Sequence, residues 1–361
     1  MKLCVISRFP SKEVAKDGMM QRVIEMDKLL GDLGSVEYFN ISFKRNLRSS
    51  KSNSVPNQDS KRFIEQYYLN AIVHQIYMFR LFKDADLIYV HSIINFLYIL
   101  PLSLFLRTPV VIDVHGTVPE EYSWQGKRIL SRFYKAVERI SMKISSRVVV
   151  VSHAMKSHYL QEYKWLHNES IFLFPIHDSV DIGSVTIREN NSNILPSVVY
   201  AGGTQSWQNI DLMIELAVRA SDYLNFSFFV PRDQILKLHS KVKNHADVQS
   251  VAKSELIDIY RQCDLGLLLR DDILLNRVAS PTKLNEYISQ GVIPVLLQPN
   301  VGDFTYYGYK YVSYNDLAVK NLPSAIEMTK IRMHNMECYK AQLLDINAGK
   351  EKLVSYINSL A

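Results

Sequence analysis

Cysteine and long apolar runs are both scarce in this 361-residue sequence. Its three cysteines lie too far apart for a disulfide framework or a zinc-ligand spacing, so we expect free thiols, as in a reducing cytoplasm. No long apolar segment follows the first methionine, and we therefore expect no signal peptide. Residues 93–106 are the most apolar stretch, but they include a proline and are shorter than the roughly 20 residues that span a bilayer. We predict a buried helix there.

Several nucleotide-binding and hydrolytic motifs are also missing. The sequence has no G-x-x-x-x-G-K-[ST] loop, no G-x-G-x-x-G after its first apolar run, no G-x-S-x-G and no H-E-x-x-H. These absences argue against a P-loop ATPase, a dehydrogenase, a serine hydrolase and a zinc protease. Asp84-Ala85-Asp86 has the D-x-D spacing of some metal sites, but it precedes a predicted strand and would lie at the wrong end of the sheet. We predict a solvated turn and no metal site.

Positive charge is concentrated in the first half of the chain, although the net charge is only +6. Residues 1–178 contain 24 Lys and Arg against 17 Asp and Glu, and the remainder contains 18 against 19. Much of the excess lies in residues 43–62, at Lys44, Arg45, Arg48, Lys51, Lys61 and Arg62. This stretch is either a solvated loop or, with the aromatic-rich residues 63–82, a contact for anionic lipid or a phosphate-bearing acceptor. Nucleic acid is not an expected partner, because no aromatic platform or recognition helix accompanies the charge.

Short β-rich apolar runs alternate with longer helical patterns twice along the chain, which indicates two α/β domains with mostly parallel sheets. The predicted strands are residues 2–7, 36–41, 87–91, 110–114, 148–151 and 171–174, then 197–201, 226–230, 248–251, 265–269, 292–297 and 311–312. The predicted helices include residues 21–30, 65–82, 129–144, 209–220, 255–262 and 281–290. We expect one Rossmann-like domain over residues 1–178, a second over 179–345, and a helix in 346–361 that packs back on the first.

Two such doubly wound domains would face each other across a cleft lined by the carboxyl ends of their strands, where α/β sheets bind ligands. Polar, small and basic residues follow the predicted strands in both halves. They are His91, His115 and His153 in the first half and Gly202, Gly203, Thr204 and Arg270 in the second. This clustering favours an enzyme cleft.

Residues 276–297 predict an anion site in the second domain. Pro281 is typical of a first helical turn and Ser280 of an N-cap, so the N–H groups of Thr282 and Lys283 would point into the cleft. The Lys283 side chain would add a mobile positive charge at the same place.

Two arginines and a glutamate could complete this anion site. Arg270 and Arg277 could supply forked donors, which together with Lys283 would suit a diphosphate. Glu286, one turn beyond Lys283, could accept hydrogen bonds from a ribose diol. The alternative is that Lys283 and Glu286 form an ordinary ion pair on a helix surface.

The segment resembles the donor-binding helix of retaining GT-B glycosyltransferases of the family 4 type, through Glu286, Gly291 and Pro294-Val295. Residues 200–211, which include Gly202-Gly203 and end in Trp-Gln-Asn-Ile-Asp, resemble the strand, turn and helix that open the donor domain of that family. Three further blocks, residues 113–121, 151–155 and 17–22, resemble its catalytic-domain loops and its N-terminal glycine loop. The resemblance covers residues 1–305.

Three departures from the family pattern qualify this resemblance. Val278 stands where the family usually has a first glutamate, so the choice of sugar stays open and backbone N–H groups of residues 279–282 would replace that carboxylate. Gly203 and Gln208 stand where an arginine and a lysine are usual, so Arg270, Arg277 and Lys283 would neutralise the diphosphate. The segment 175–178 lacks the usual Pro-Asn-Gly.

The resemblance implies a GT-B fold and transfer of a sugar from a nucleotide-diphosphate donor, with a UDP-sugar favoured, with retention of configuration and without metal or cofactor. The donor would be bound by Gly202, Gly203, Thr204, Arg277, Ser280, Pro281, Thr282 and Glu286, with Arg270 and Lys283 at the leaving diphosphate. His115 would bind a sugar hydroxyl or stabilise developing charge. The acceptor would be bordered by Gly18, Met19, Arg22, His91 and His153.

The expected acceptor is a glycan carried on a lipid diphosphate, in the assembly of capsule, O-antigen or exopolysaccharide by a bacterial cytoplasmic enzyme at the inner face of the plasma membrane. Two alternatives stay open. A GT-B-shaped epimerase acting on a UDP-sugar would need carboxylates around the sugar, which Val278 disfavours. A non-catalytic two-domain protein that binds a nucleotide sugar is the other.

Overall fold

The computed structural model describes residues 1–9, 18–54, 64–175 and 195–360. The chain divides into two compact units. Unit 1 comprises Met1–Pro175 and Asp345–Ala361, and unit 2 comprises Ile176–Leu344. The expected domain boundary between residues 178 and 179 lies outside the described residues, as does most of the expected linker.

Unit 1 is built on an eight-stranded sheet with the order β3-β4-β2-β1-β5-β6-β7-β8. Its strands are β1 (Lys2–Ile6), β2 (Ser35–Ser42), β3 (Ser50–Ser54), β4 (Ile64–Asn70), β5 (Leu87–His91), β6 (Val110–Val114), β7 (Arg147–Val150) and β8 (Ile171–Leu173). All neighbours are parallel except the antiparallel pair of β3 and β4. The central strands β1, β5 and β6 are almost fully buried, which explains why their sequences are mainly apolar.

Six helices connect these strands. They are α1 (Gly18–Gly31), α2 (Gln75–Lys83), α3 (Ser92–Ser103), α4 (Val118–Trp124), α5 (Arg128–Ile144) and α6 (His153–Glu162). Helix α3 confirms the buried helix predicted from the most apolar stretch, and it contains Pro101. Within the described ranges, no helix combines the length and the apolar character needed to cross a membrane.

The helix predicted over residues 65–82 is wrong in its first half. Residues 64–70 form β4, which pairs with β2 on one side and β3 on the other. The residues Tyr67 and Tyr68 favour a strand, and the ring of Tyr67 stacks on Phe39 with centroids 4.8 Å apart. Strand β3 likewise takes up part of the predicted basic loop, whose residues 55–62 lie outside the described ranges.

Unit 2 contains a six-stranded parallel sheet with the order β11-β10-β9-β12-β13-β14. Its strands are β9 (Ser197–Ala201), β10 (Asn225–Phe229), β11 (Asp247–Gln249), β12 (Leu265–Leu268), β13 (Ile293–Leu296) and β14 (Val312–Ser313). Its helices are α7 (Ile210–Ala220), α8 (Ile235–Val242), α9 (Lys253–Tyr260), α10 (Leu274–Arg277), α11 (Thr282–Ser289), α12 (Tyr314–Ala318) and α13 (Ala325–Asn358). The two sheets confirm the predicted pair of Rossmann-like α/β domains.

The long helix α13 begins in unit 2 and ends in unit 1. In unit 1, the Tyr356 hydroxyl donates a hydrogen bond to Ser146 Oγ at 2.8 Å. The Arg147 guanidinium lies 4.4 Å from the centroid of the same tyrosine ring. Gly349 passes so close to the carbonyl oxygen of Leu173 that a Cβ would overlap with it. These contacts join the end of the helix to β7 and β8.

Candidate functional site

A buried carboxylate, Asp113, organises the carboxyl edge of the sheet in unit 1. It lies in β6 one residue before the strand ends, and it is fully buried. The Arg22 guanidinium donates to both its oxygens, from Nε to Oδ2 at 2.9 Å and from Nη2 to Oδ1 at 3.1 Å. Arg22 is 0% exposed and lies 4.5 Å from the centroid of the Phe174 ring. This pair therefore joins α1 to β6 through a forked, fully desolvated ion pair.

A tyrosine and two histidines complete the surroundings of Asp113. The Tyr89 hydroxyl donates to Asp113 Oδ2 at 2.9 Å. His91 Nδ1 lies 3.4 Å from Oδ2, and His115 Nδ1 lies 4.0 Å from Oδ1. Burial disfavours ionisation of Asp113, but Arg22, followed by the two histidines, holds its pKa well below the usual value. The carboxylate is thus charged throughout the physiological range.

The two histidines differ in exposure and therefore in what they can reach. Burial lowers the pKa of His91, which keeps the ring neutral. His115 follows the end of β6 and is partly exposed, with its ring centroid 6.3 Å from that of His91. His115 is consequently the member of this cluster that can contact a bound molecule.

Two of the residues expected to border an acceptor do not do so. Arg22 and His91 are both fully buried, so neither presents a polar group at the surface. Arg22 is buried because the carboxylate of Asp113 is buried and charged, and such a charge needs a counter-ion beside it. The Arg22 and His91 side chains instead contact Asp113 inside unit 1.

The three remaining acceptor-side candidates occupy helix starts. Gly18 is the first residue of α1, and the side chain of Met19 lies outside the described residues. His153 is the first residue of α6, behind the N-cap Ser152, whose hydroxyl accepts the Met155 N–H at 2.9 Å. His153 Nε2 lies 3.4 Å from Asp345 Oδ2.

His91, Asp113 and His115 have the composition of a metal site, with ligand atoms within 4.8 Å of one another. The surroundings do not fit a cation. Arg22 and Tyr89 already occupy the Asp113 oxygens, and a metal ion would lie beside a buried guanidinium. We therefore derive no metal-dependent step from this cluster.

The candidate site in unit 2 starts at the turn after β9. Gly202 has a φ of +150° and donates its N–H to the Phe229 carbonyl at 2.9 Å. The Tyr200 hydroxyl donates to the carbonyl oxygen of Gly203 at 2.5 Å. Thr204 donates its N–H to Gln234 Oε1 at 3.1 Å. These bonds hold the turn in place at the end of β9.

The Lys283 side chain from α11 crosses this turn. Its Nζ lies 5.1 Å from the centroid of the Tyr200 ring and 3.4 Å from Gln208 Oε1, to which it donates. Burial, and then the positive charge of Arg270, lowers the pKa of Lys283 to about 7. In the described part of the chain, no carboxylate oxygen lies within salt-bridge distance of Nζ.

Arg270, at the end of β12, is the second cation of this site. Burial lowers its pKa to about 10, which the neighbouring Tyr200 partly offsets. Among the described residues, its buried Nε has no hydrogen-bond partner. Two partly buried cations, Arg270 and Lys283, thus repel each other. A bound anion would offset this electrostatic repulsion.

Helix α11 directs its first-turn N–H groups to the same strand edge, but it begins one residue later than predicted. Pro281 is the N-cap, with a ψ of 112°, and the first helical residue is Thr282. The expected Ser280 cap is therefore wrong, and no side chain caps the helix. The N–H groups of Thr282 and Lys283 have no carbonyl of their own helix to bond.

Other predicted donor-site residues have different partners. The Arg277 fork is exposed and bonded to Asp272, at 2.5 Å from Nε and 2.9 Å from Nη2. Arg277 therefore forms an ion pair with Asp272, whereas it was expected to act together with Arg270 and Lys283. Glu286 Oε2 accepts the Tyr260 hydroxyl at 3.1 Å. Val278 is 3% exposed, so the residue that stands where the resembled family usually has a glutamate belongs to the core.

The sequence reasoning did not single out Asp113, Tyr89 or Tyr200 as functional residues. Asp113 did carry a signal, because a charge inside the apolar run Val-Val-Ile-Asp-Val is unusual for a central strand. The two tyrosines carried none, since a tyrosine in a strand is ordinary.

Comparisons with known proteins agree with this fold. Residues 44–175 match the model of Glycosyltransferase Family 4. No curated protein matches the whole chain or part of it significantly. Among solved structures, HepE from Anabaena in complex with UDP and glucose has a TM-score of 0.67 and 13% identity, over 99% of this chain and 100% of that one.

Two sugar-phosphate synthases are similar to the same extent. Sucrose-phosphate synthase from Thermosynechococcus elongatus has a TM-score of 0.68 and 13% identity, over 99% of this chain and 98% of that one. The α,α-trehalose 6-phosphate synthase from Burkholderia multivorans has a TM-score of 0.64 and 9% identity, over 100% of this chain and 98% of that one. The chain thus has the two Rossmann-like sheets of GT-B glycosyltransferases, with a match to glycosyltransferase family 4 over residues 44–175.

Proposed function

We propose that the protein is a retaining glycosyltransferase that takes its sugar from a nucleotide-diphosphate donor, with a UDP-sugar favoured. The observation that carries the proposal is the pair of partly buried, neighbouring cations at the carboxyl edge of the unit 2 sheet, Arg270 and Lys283, where the buried Nε of Arg270 has no hydrogen-bond partner among the described residues. The first turn of α11 adds backbone N–H donors to this edge. HepE, whose structure holds UDP and glucose, supports the choice of nucleotide.

The chemistry follows from where charge develops in such a transfer. Breaking the bond between the anomeric carbon and the diphosphate oxygen leaves negative charge on the diphosphate. Arg270, protonated Lys283 and the α11 N–H groups would stabilise that charge, and no metal is needed for it. Because Gly202 has no side chain, the ammonium of Lys283 can lie directly over the turn, where it would meet the diphosphate.

His115 would act on the sugar rather than on the nucleotide. Its ring is partly exposed at the strand edge of unit 1, where it could bind a sugar hydroxyl or stabilise charge that develops on the sugar. Asp113 would hold the ring in place, and Arg22 would hold Asp113. These groups are therefore positioning residues for His115.

The proposed acceptor is a glycan carried on a lipid diphosphate, in the assembly of a bacterial surface polysaccharide at the inner face of the plasma membrane. The excess of positive charge in residues 1–178 supports an anionic acceptor or an anionic surface. An epimerase is less well supported, because the buried Val278 offers no carboxylate for proton transfer.

Calorimetric titration with UDP, GDP, CMP and ADP tests this proposal. Each titration is performed in EDTA and then with magnesium. We expect one diphosphate to bind with micromolar affinity in EDTA. If none binds under either condition, the assignment of the phosphate site is wrong. If a diphosphate binds but no donor with that base is turned over on any glycan acceptor, the chain is a nucleotide-sugar-binding protein instead.

A further inference from the structure

Unit 1 exposes apolar side chains from three separate segments. Residues 43–48 follow β2, residues 72–77 follow β4, and residues 124–133 join α4 to α5. Their exposed apolar side chains are Phe43, Leu47, Ile72, Val73, Ile76, Tyr77, Trp124, Ile129, Leu130 and Phe133. Ile129 is 85% exposed and Ile76 is 73% exposed, so these side chains do not belong to the hydrophobic core. Together, the three segments form what we call the apolar face.

The topology places the three segments at one edge of the sheet. Each of them follows the carboxyl end of a strand, and β2, β4 and β6 are all part of one parallel array. The crossovers through α2, α3 and α5 advance in the same direction along the strand order. Because such crossovers are right-handed, these helices cover the same side of the sheet and begin at its carboxyl edge.

Contacts through α3 connect the segments of the apolar face, and Gln75 of the second segment donates from Nε2 to the carbonyl oxygen of Tyr98 at 3.4 Å. The ring of Phe43 packs edge-on against Tyr98 of α3, with centroids 5.1 Å apart. The rings of Tyr122 and Tyr134 stack at 5.1 Å, and Tyr134 contacts Phe133 at 5.3 Å. Tyr98 and Tyr134 lie on α3 and α5, two helices that pack against each other. A belt of aromatic rings thus joins the first segment to the third.

Helix α5 extends the apolar face with a regular stripe. The exposed Ile129, Phe133, Ala136 and Ile140 recur at intervals of four, three and four residues, which aligns them on one side of the helix. The next sector of the helix carries only cations, namely Arg128, Arg132, Arg139 and Lys143, all exposed. The single acidic residue of α5, Glu138, is buried on the opposite side, where it accepts hydrogen bonds from Tyr159 and Tyr163.

The three segments of the apolar face carry charge of one sign. The first and third segments contain six cations, Lys44, Arg45, Arg48, Lys127, Arg128 and Arg132. None of the three segments contains an aspartate or a glutamate. An apolar surface with a rim of lysine and arginine complements an anionic lipid surface, since the apolar tips enter the acyl boundary while the cations contact the headgroups.

We propose that the apolar face, formed by residues 43–48, 72–77 and 124–133 with the outer stripe of α5, docks the protein on an anionic lipid bilayer. The apolar face adjoins the carboxyl edge of the unit 1 sheet, which also carries His115. Docking would therefore bring that edge close to the membrane, where a lipid-linked acceptor resides. In this last respect the inference rests on the proposed function, whereas lipid binding itself does not.

Flotation of the full chain with phosphatidylcholine vesicles, with and without phosphatidylglycerol, tests the proposal. We expect the protein to float with the anionic vesicles and to be released in part by salt. Ile129→Ser with Phe133→Ser should lower the partition coefficient at least tenfold, and Ile72→Ser with Ile76→Ser should lower it by a similar factor. Arg128→Gln with Arg132→Gln should lower it roughly fivefold per cation.

Leu236→Ser is the matched control, because Leu236 is also 85% exposed but lies in unit 2. It should float as the wild type does, and all variants should keep the wild-type melting temperature. Failure of the wild type to float, or equal flotation of every variant, overturns the proposal. The wild type could instead form a dimer that does not bind vesicles and that dissociates in the Ile129→Ser, Phe133→Ser variant. That result would assign the apolar face to a contact with a second copy of the chain and would also overturn the proposal.

A UDP titration of the same preparations separates the two proposals. Vesicle binding without nucleotide binding contradicts the transferase and leaves docking intact. Nucleotide binding without vesicle binding contradicts docking and leaves the proposed transferase intact.

Discussion

The side chain of Lys283 lies across the Cα of Gly202, so close that a Cβ at this position would overlap with its Cε and Nζ. Glycine is therefore required here for two reasons, the positive φ and the passage of the lysine. The contact joins the turn after β9 to the start of α11. It also fixes where the positive charge of Lys283 lies, beside Tyr200 and next to Arg270.

Gly202→Ala should lower the affinity for the nucleoside diphosphate about tenfold, since the new methyl group displaces the ammonium by an ångström or more. Gly308→Ala is the control. Gly308 also has a positive φ, of +73°, but a Cβ there would meet no atom within 4 Å. Both variants should lose some stability from backbone strain, Gly202→Ala more than Gly308→Ala, and only Gly202→Ala should bind UDP more weakly in calorimetry. Equal affinities would show that the Lys283 position does not depend on this contact.

Removing either buried cation should weaken nucleotide binding more than removing the exposed one. Lys283→Ala and Arg270→Ala should each cost on the order of 1.5 to 3 kcal/mol of UDP binding free energy, as expected for a charged hydrogen bond. Arg277→Ala should have little effect, because its guanidinium is already bonded to Asp272. Titration of the three variants decides the matter. A large loss in Arg277→Ala with no loss in the other two would reverse the assignment.

The affinity for UDP should decrease with rising pH above about 7, because the free Lys283 has a pKa of about 7 and only its protonated form attracts the diphosphate. Binding then takes up one proton, and the dissociation constant should rise by up to about tenfold per pH unit between about pH 7 and about pH 9. Arg270, whose pKa is about 10, stays charged over that range. Lys283→Met should flatten the profile. A wild-type profile that is flat would contradict a low pKa of Lys283.

Asp113→Asn should destabilise unit 1 by about 3 to 5 kcal/mol, because it leaves the Arg22 charge buried without a counter-ion. The pKa of Asp113 is lowered on folding, so its stabilising contribution is present above the unfolded pKa of about 4 and is lost as the pH falls below it. Denaturant unfolding at neutral pH measures the change. Asp84→Asn, at an exposed carboxylate, should be nearly neutral. Adding Arg22→Met to Asp113→Asn should restore part of the stability.

Much of the fold could be predicted because a short apolar run between polar turns indicates a buried strand without any information from the rest of the chain. Strands β5, β6 and β9 have the predicted bounds. Strand β4 could not be recognised, since the apolar positions of Ile-Glu-Gln-Tyr-Tyr-Leu-Asn fit a helical spacing as well as an alternating one. The segment is a strand because it pairs with β2 and β3, and the sequence alone does not reveal this pairing.

The sequence predicts single elements of the proposed site where each has a local signal. The start of α11 follows from a proline, and the turn after β9 follows from its two glycines. The Arg22–Asp113 pair joins residues 91 positions apart, so its existence depends on the tertiary fold. Arg277 shows the opposite error, because its ion pair with Asp272, five residues away, competes with the role expected of it.

His115→Ala should lower the rate of donor cleavage about a hundredfold, as expected when one group that stabilises developing charge is removed. Its effect on UDP affinity should be small, because the proposed nucleotide site lies in unit 2 whereas His115 lies in unit 1. Release of UDP from the donor identified by titration gives the rate, and calorimetry gives the affinity. His167→Ala, at an exposed histidine of the same unit, is the control and should match the wild type. A variant that loses UDP affinity and keeps its rate at saturating donor would place His115 on the nucleotide instead of the sugar.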